Sequence, residues 1–186
     1  DTHAQYAMAA LECGAHVFVE KPLATTVEEA SAVIDLARRK NLKLLVGYIL
    51  QFHPSWKLFN QLASELGRPL VMRMNLNQQS FGDSWNTHKS ILATGLTPVV
   101  DCGVHYLDFM CNLIGSGPET VSAISVRLSD EIDTDNYGQL QVTFKDGSVG
   151  WYEAGWGPMM SENAYFIKDI IGPKGSVSMV ARHLEG

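Results

Sequence analysis

Three ionisable side chains, Asp101, His105 and Asp108, interrupt the apolar segment of residues 98–113. The pattern predicts a helix, and the spacing i, i+4 and i+7 places the three side chains on one helical face. Burying such groups without partners would cost several kcal/mol, so this face must meet something polar. A histidine titrates near ~6.5 and is a good proton acceptor at neutral pH. The face is therefore a candidate site for acid–base chemistry.

Two other interpretations of this face stay open on the residues alone. An amphipathic helix carries a polar stripe toward solvent without any function. Two carboxylates and an imidazole are also plausible ligands for a divalent cation. The sequence offers no clear second pair of ligands, and we therefore predict no metal site.

A lysine stands where a short predicted strand ends. Residues 16–19 have a buried-strand pattern and are followed by Glu20-Lys21-Pro22. In open α/β sheets, ligands bind at the carboxyl ends of the strands. A Lys-Pro pair at a strand end also fits an ordinary turn, so the signal alone is only suggestive. The Lys21–Pro22 bond is a candidate for cis geometry.

Composition and charge exclude several classes of partner. The chain has 186 residues, 46% of them hydrophobic, and a formal charge of −6 from 14 basic and 20 acidic residues. Without a basic cluster, we expect no nucleic-acid partner. No apolar run approaches the ~20 residues of a membrane span, so we expect no membrane partner. The three cysteines form no CxxC motif and predict neither a zinc site nor a disulfide framework. We therefore expect reduced thiols and a cytoplasmic location.

Residues 2–46 have the pattern helix, strand, helix, strand, with Thr26 capping the second helix. This order is typical of the last part of a parallel, helix-covered sheet. Such a sheet needs more strands than these two, so we expect part of the first domain to be absent from the chain.

The rest of the chain predicts a second architecture. We expect a helix from Pro54 to Gly67, a strand over 69–76, irregular structure over 77–94 and one helix over 98–113. Five strands are then predicted, over 121–128, 137–144, 148–156, 165–171 and 176–180. Lys145-Asp146-Gly147 is a hairpin signal between two of them. The predicted fold class is α/β: the remnant of a parallel sheet, then an α+β domain with a large, mostly antiparallel sheet.

The motifs in this order resemble the Gfo/Idh/MocA family of oxidoreductases, which includes inositol dehydrogenases and glucose-fructose oxidoreductase. The matching segments are His3 with Ala10-Leu11-x2-Gly14, His16-Val17-Phe18-Val19-Glu20-Lys21-Pro22-Leu23-Ala24, Gly47-Tyr48, Phe52-His53-Pro54, Asp101-x-Gly103-x-His105-x2-Asp108, Asp146-Gly147-Ser148-Val149-Gly150 and Gly172-x2-Gly175-Ser176. The resemblance covers nearly the whole chain.

The resemblance implies a Rossmann domain, here its C-terminal part at residues 1–48, and a substrate-binding and oligomerisation domain at residues 49–186. It implies NAD or NADP as cofactor, bound in part by Glu20, Lys21 and Pro22. It also implies a hydride transfer between nicotinamide and a sugar or polyol hydroxyl. Lys21, Asp101 and His105 would form the catalytic triad, and these three together with Asp108 would bind the substrate. A homo-oligomer would form through the sheet face of the second domain.

The sequence also departs from the family pattern. The Gly-x-Gly-x-x-Gly turn that binds pyrophosphate is absent, so the chain by itself is not expected to bind NAD tightly. Gly95-Leu96-Thr97-Pro98 replaces a run of glycines, and Gln51 stands where arginine is frequent in the family. Some relatives are non-catalytic sensors of cofactor and ligand, and this alternative stays open, although an intact triad argues against it.

Three aromatic residues of one predicted strand have two interpretations. Trp151, Tyr152 and Trp156 would either line a sugar site or be buried or interface aromatics of an alternating strand.

Overall fold

The computed structural model describes residues 2–161 and 166–180, and these divide into two compact units at Ile49 and Leu50. The N-terminal unit contains α1 (His3–Glu12), β1 (Val17–Val19), α2 (Val27–Arg39) and β2 (Leu44–Val46). A single 3-10 turn, Ile49–Gln51, follows at the junction. No helix among the described residues is long and apolar enough to cross a membrane.

In the N-terminal unit, β1 and β2 pair in parallel, with Val17 opposite Leu44 and Val19 opposite Val46. The predicted cap of α2 is confirmed, because the Thr26 side chain accepts a hydrogen bond from the Glu29 amide at 3.1 Å. Both helices pack their apolar stripes on these strands, and the buried residues of this core are Ala7, Leu11, Val19, Leu23, Val33, Leu36 and Ala37. Helix, strand, helix, strand is therefore the observed order, as predicted.

The C-terminal unit begins with α3 (Pro54–Ser64), β3 (Val71–Gln79), α4 (Gly82–Leu92), α5 (Pro98–Asp101) and α6 (Gly103–Ile114). The strands β4 (Thr120–Val126), β5 (Tyr137–Thr143), β6 (Val149–Gly157), β7 (Lys168–Gly172) and β8 (Gly175–Ser178) follow. The predicted strand over 165–171 begins at Tyr165, which lies outside the described residues.

Six of the described strands form one sheet, in the order β4-β5-β6-β3-β7-β8. Only the β3–β6 pair is parallel among these six, so the prediction of a mostly antiparallel sheet is confirmed. One sheet face packs on α3 and α6 around Trp56, Phe109 and Tyr152. The opposite face, which we call the outer face, carries the other set of alternating side chains, including Ile124, Gln139 and Glu153.

Two predictions for this unit are wrong. Residues 77–94 are not irregular, because β3 continues to Gln79 and α4 follows almost at once. The single helix predicted over 98–113 is two helices with a break at Cys102. The amide of His105 donates to the carbonyl of Cys102, only three residues back, and this tighter turn separates α5 from α6.

Candidate functional site

The break between α5 and α6 sets the positions of the ionisable residues. Pro98 begins α5, a position that suits proline because its missing N–H would have no helical partner there. Asp101 ends α5, whereas His105 and Asp108 lie one turn apart on α6. All three are half-buried, so none has the full exposure of an ordinary solvent-facing stripe.

Gly103 lies at the break because a side chain would not fit there. A Cβ atom on Gly103 would stand 2.9 Å from Cε1 of Tyr152, inside any normal contact distance. Tyr152 itself is buried and stacks on Tyr106 with ring centroids 4.6 Å apart. The glycine of the Asp-x-Gly-x-His motif therefore lets the two helices approach the sheet.

Asp108 has a specific partner. The side-chain amide of Gln51 donates to the Asp108 carboxylate at 2.7 Å. Gln51, which departs from the pattern expected from the resemblance, thus meets the carboxylate with a neutral donor. An amide leaves the negative charge of Asp108 in place, whereas a guanidinium would neutralise it.

The neighbourhood of Asp101 includes a second histidine. Burial lowers the pKa of His88, and the nearby Asp101 carboxylate raises it by a smaller amount. The thiol of Cys102 lies 3.7 Å from Oδ2 of Asp101 and 3.9 Å from Oε1 of Gln78. His88 and Gln78 were not among the residues predicted for the site, because both lie in the segment predicted as irregular.

The aromatic residues of β6 separate into two groups. Tyr152 and Trp156 are fully buried on the helix-covered side, whereas Trp151 is half-buried on the outer face. Of the two interpretations, the structure favours buried aromatics of an alternating strand for Tyr152 and Trp156. Burial also raises the pKa of the Tyr152 phenol well above its usual range, and Cys102, Tyr106 and Asp101 add to the effect.

Lys21 lies in the N-terminal unit, at the carboxyl end of β1, and its side chain is half-buried. The Lys21–Pro22 bond is cis, as predicted. The imidazole Nδ1 of His3 lies 2.7 Å from the carbonyl oxygen of Pro22, a contact that ties α1 to this turn. His3 is therefore a residue that positions the Lys-Pro turn.

Glu20 and Gly47 meet at the same edge of the small sheet. A Cβ atom on Gly47 would stand 3.0 Å from Oε2 of Glu20, so the carboxylate occupies the space that a side chain would fill. Because β1 and β2 are parallel, their carboxyl ends share one edge, which is where ligands of open α/β sheets bind. Glu20, Lys21 and Pro22 are thus placed where a dinucleotide could be contacted.

Comparison with known proteins gives the family. Residues 1–48 match the domain described as "Oxidoreductase family, NAD-binding Rossmann fold", and residues 62–178 match the "GFO/IDH/MocA C-terminal domain". The chain belongs to the Gfo/Idh/MocA family. The resemblance inferred from its motifs is confirmed.

Among relatives in the Gfo/Idh/MocA family, levoglucosan dehydrogenase of Pseudarthrobacter phenanthrenivorans is 28% identical over 204 residues, covering 94% of this chain and 52% of the relative. UDP-N-acetylglucosamine 3-dehydrogenase of Acidithiobacillus ferrooxidans is 28% identical over 149 residues, covering 80% of this chain and 43% of the relative. This chain therefore spans about half the length of the curated relatives it matches.

Solved structures agree with this Gfo/Idh/MocA assignment. An NAD-binding oxidoreductase from Klebsiella pneumoniae superposes with a TM-score of 0.80 at 26% identity, covering 96% of this chain and 51% of that one. The predicted fold class, a Rossmann remnant followed by an α+β domain with a large sheet, is confirmed.

Proposed function

We propose that this chain is part of an NAD(P)-dependent oxidoreductase that transfers a hydride between nicotinamide and a hydroxyl-bearing carbon of a sugar or polyol. Residues 1–48 would be the C-terminal part of its dinucleotide-binding domain, and residues 49–186 its substrate-binding and oligomerisation domain. The observation that carries the proposal is the half-buried series Asp101, His105 and Asp108 at the α5–α6 break, in a chain of an oxidoreductase family.

Oxidation of a secondary alcohol breaks two bonds, C–H and O–H. His105 would accept the hydroxyl proton as the C–H electron pair leaves the carbon and the C=O bond forms. Nicotinamide, when bound, supplies the hydride acceptor. Lys21 would stabilise the negative charge that develops on the oxygen. Asp101 would orient Lys21 and His105 or adjust their charge. Asp108 would accept a hydrogen bond from another substrate hydroxyl.

The residues at the edge of the small sheet fit a dinucleotide cofactor. Glu20, Lys21 and Pro22 follow β1 directly, at the edge used for such ligands, and Lys21 adds a cationic group. Tyr6 and Phe18 are 68% and 66% exposed on this unit, which supports its being one part of a larger helix-covered sheet.

The decisive experiment compares His105→Ala, Lys21→Ala and Asp101→Asn with the wild type in the full-length protein, with sugars and polyols as substrates. Loss of a general base typically lowers kcat by ~10²- to 10⁴-fold. We expect a fall of this order for His105→Ala, and near wild-type activity for Asp130→Asn, an exposed aspartate between β4 and β5.

Full activity in His105→Ala would contradict the assigned base. A wild-type protein that binds NAD(H) or NADP(H) and a sugar yet shows no turnover would favour the alternative, a non-catalytic sensor of the same fold.

We also propose that the protein is a homo-oligomer that assembles through the outer face and works in the cytoplasm. Several apolar side chains are exposed on that face, namely Val71, Ile124, Val126, Val149 and Ile171. All three cysteines are in the described part of the chain and form no disulfide. Ile124→Lys should shift sedimentation toward a smaller species, whereas an unchanged sedimentation coefficient would argue against this interface.

A further inference from the structure

A polar pocket lies between the end of β3 and α4, on the same sheet face as α5 and α6. We call it the β3–α4 pocket. Its volume is about 270 Å³, and its lining residues are Gln78, Gln79, Ser80, Ser84, Thr87 and His88. At roughly 30 Å³ per water, it has room for the equivalent of about nine waters. That is enough for a small hydroxyl-bearing group.

His88 is held in a fixed orientation in this pocket. Its ring stacks on Trp156 with centroids 4.5 Å apart and planes 7° apart, and Trp156 is fully buried. Its Nδ1 lies 3.0 Å from the hydroxyl of Ser80, which is itself buried. Within the described part of the chain, Nε2 makes no hydrogen bond, so it is available to a bound molecule. A preorganised donor or acceptor is what specific recognition requires.

The side chain of Cys102 lies between the pocket residue Gln78 and the proposed catalytic Asp101. Oε1 of Gln78 accepts a hydrogen bond from the Trp156 indole at 2.7 Å and lies 3.9 Å from the thiol of Cys102. That thiol is 3.7 Å from Oδ2 of Asp101. A group in the pocket would therefore be separated from Asp101 by the side chains of Gln78 and Cys102.

The charge of the pocket selects against anions. Its lining carries serine, threonine, glutamine and histidine, and burial keeps the pKa of His88 below its usual value. The imidazole is therefore mostly neutral at pH 7, while Asp101 contributes a negative charge nearby. Phosphate and carboxylate groups are bound by Arg or Lys, often through bidentate contacts, and none lines this pocket. Neutral amides, hydroxyls and an imidazole suit hydroxyl groups instead.

We propose that the β3–α4 pocket is a subsite for an uncharged, hydroxyl-bearing group of the substrate, attached to the sugar that is oxidised, with His88 as its specificity-determining residue. This inference rests on the proposed function and narrows its substrate class. The substrate is then a neutral glycoside or small oligosaccharide, and not a nucleotide sugar of the kind named for the Acidithiobacillus ferrooxidans relative.

The test measures kcat/KM of the full-length protein with NAD and with NADP. The probes are glucose, galactose and mannose, their methyl glycosides, their β-1,4-linked glucosides, and UDP-glucose and UDP-galactose. We expect the best neutral glycoside to exceed its free sugar by about 10-fold, and to exceed both nucleotide sugars by more. His88→Leu should reduce the preference for the glycoside over the free sugar to about 3-fold or less, because one neutral hydrogen bond to the attached group is lost.

A second variant separates recognition from structural support. His88→Gln keeps a donor and an acceptor and should restore most of the glycoside preference, and the melting temperature of each variant reports whether it folds. Equal losses on glycosides and free sugars in both variants would overturn the subsite, as would a wild-type preference for nucleotide sugars. Absence of turnover with every probe would also overturn the subsite, because the substrate would then not be a glycoside, whereas the proposed function is tested separately by the comparison of His105→Ala with the wild type on sugars and polyols.

Discussion

The phenol ring of Tyr152 lies directly against Gly103. In the sequence, Gly103 stands midway between Asp101 and His105. A Cβ atom at this position would stand 2.9 Å from Cε1 and 3.2 Å from Cδ1 of that ring. The contact joins β6 to the first residue of α6 and so fixes how closely the helices that carry the site approach the sheet.

Gly103→Ala tests this contact. The new methyl group would have to displace the Tyr152 ring or α6, and overpacking of this kind costs ~1–3 kcal/mol. Alanine recovers about 1 kcal/mol of helix propensity, so we expect a net destabilisation of up to ~2 kcal/mol by urea unfolding. Gly117→Ala is the control, because nothing lies within 4 Å of its Cβ position. Equal stability of the two variants would show that the Tyr152 contact imposes no constraint.

The Tyr152 hydroxyl gives a second prediction. It is buried and has no hydrogen-bond partner among residues 2–161 and 166–180. Removing an unsatisfied buried polar atom relieves its desolvation cost, so Tyr152→Phe should leave the free energy of unfolding unchanged or raise it by ~1 kcal/mol.

Tyr137→Phe is the matched control for that experiment. The Tyr137 hydroxyl donates to Glu153 at 2.9 Å and accepts from the Gln139 amide at 2.8 Å. Its loss should destabilise the protein by ~0.5–1.5 kcal/mol. If Tyr152→Phe cost as much as Tyr137→Phe, the Tyr152 hydroxyl must have a partner.

The stability of the protein should depend on pH through Lys168. Its side chain is 1% exposed, its Nζ donates to the Asn75 carbonyl, and burial lowers its pKa from 10.5 to about 7. Between these two values the unfolded chain binds more protons than the folded chain, so stability should rise with pH across this window. Below about pH 7 both states are protonated and the destabilisation is complete.

Lys168→Met should remove this dependence. We expect the melting temperature of the wild type to rise between pH 7 and pH 9.5 relative to that of the variant, with Lys145→Met, at an exposed position, behaving as the wild type. Parallel pH profiles for wild type and Lys168→Met would show that Lys168 keeps an ordinary pKa in the folded protein.

The Gln51–Asp108 pair should affect substrate binding more than the chemical step. If Asp108 binds a substrate hydroxyl, Asp108→Asn should raise KM by about 10-fold with a smaller change in kcat. Gln51→Leu removes the 2.7 Å hydrogen bond that holds the carboxylate and should raise KM by about 3-fold. Steady-state kinetics of the full-length protein separate the two parameters, and a fall in kcat alone would assign Asp108 to catalysis instead.

Local sequence patterns predicted what local physics determines. The Thr26 cap, the Asp146-Gly147 hairpin and the order helix, strand, helix, strand of residues 2–46 depend on residues a few positions apart, and the structure agrees with them. In the hairpin, Asp146 accepts from the Ser148 amide at 2.9 Å and Gly147 has a φ of 83°. The segment ending in Glu20-Lys21-Pro22 and the Asp101-x-Gly103-x-His105-x2-Asp108 motif, taken together and in this order, likewise indicated the family.

The segment of residues 77–94 was predicted wrongly because its stabilising contacts come from elsewhere in the chain. Asparagine is typical of loops, yet Asn77 is buried in β3 and its side-chain amide donates to the Glu153 carboxylate at 2.6 Å. In α4, the apolar stripe is short, and Trp85 and Leu92 are buried with Ile132 and Trp156. No pattern within the segment carries that information.

The sequence by itself determined the order of elements in residues 2–46, the mostly antiparallel character of the later sheet and the family, since these follow from capping, short-range periodicity and the order of the motifs. Only the tertiary structure decided that α5 and α6 separate at Cys102, that β3 pairs in parallel with β6, and that His88 stacks on Trp156 beside Asp101. The helix break, the strand pairing and the stacking of His88 on Trp156 all depend on packing between residues about 50 to 80 positions apart. His88 and Asp101 are closer in sequence, but they approach each other only because α4 and α5 pack on the same sheet. Packing between such distant residues depends on the shapes of side chains that become buried together, and a local sequence pattern does not contain that information.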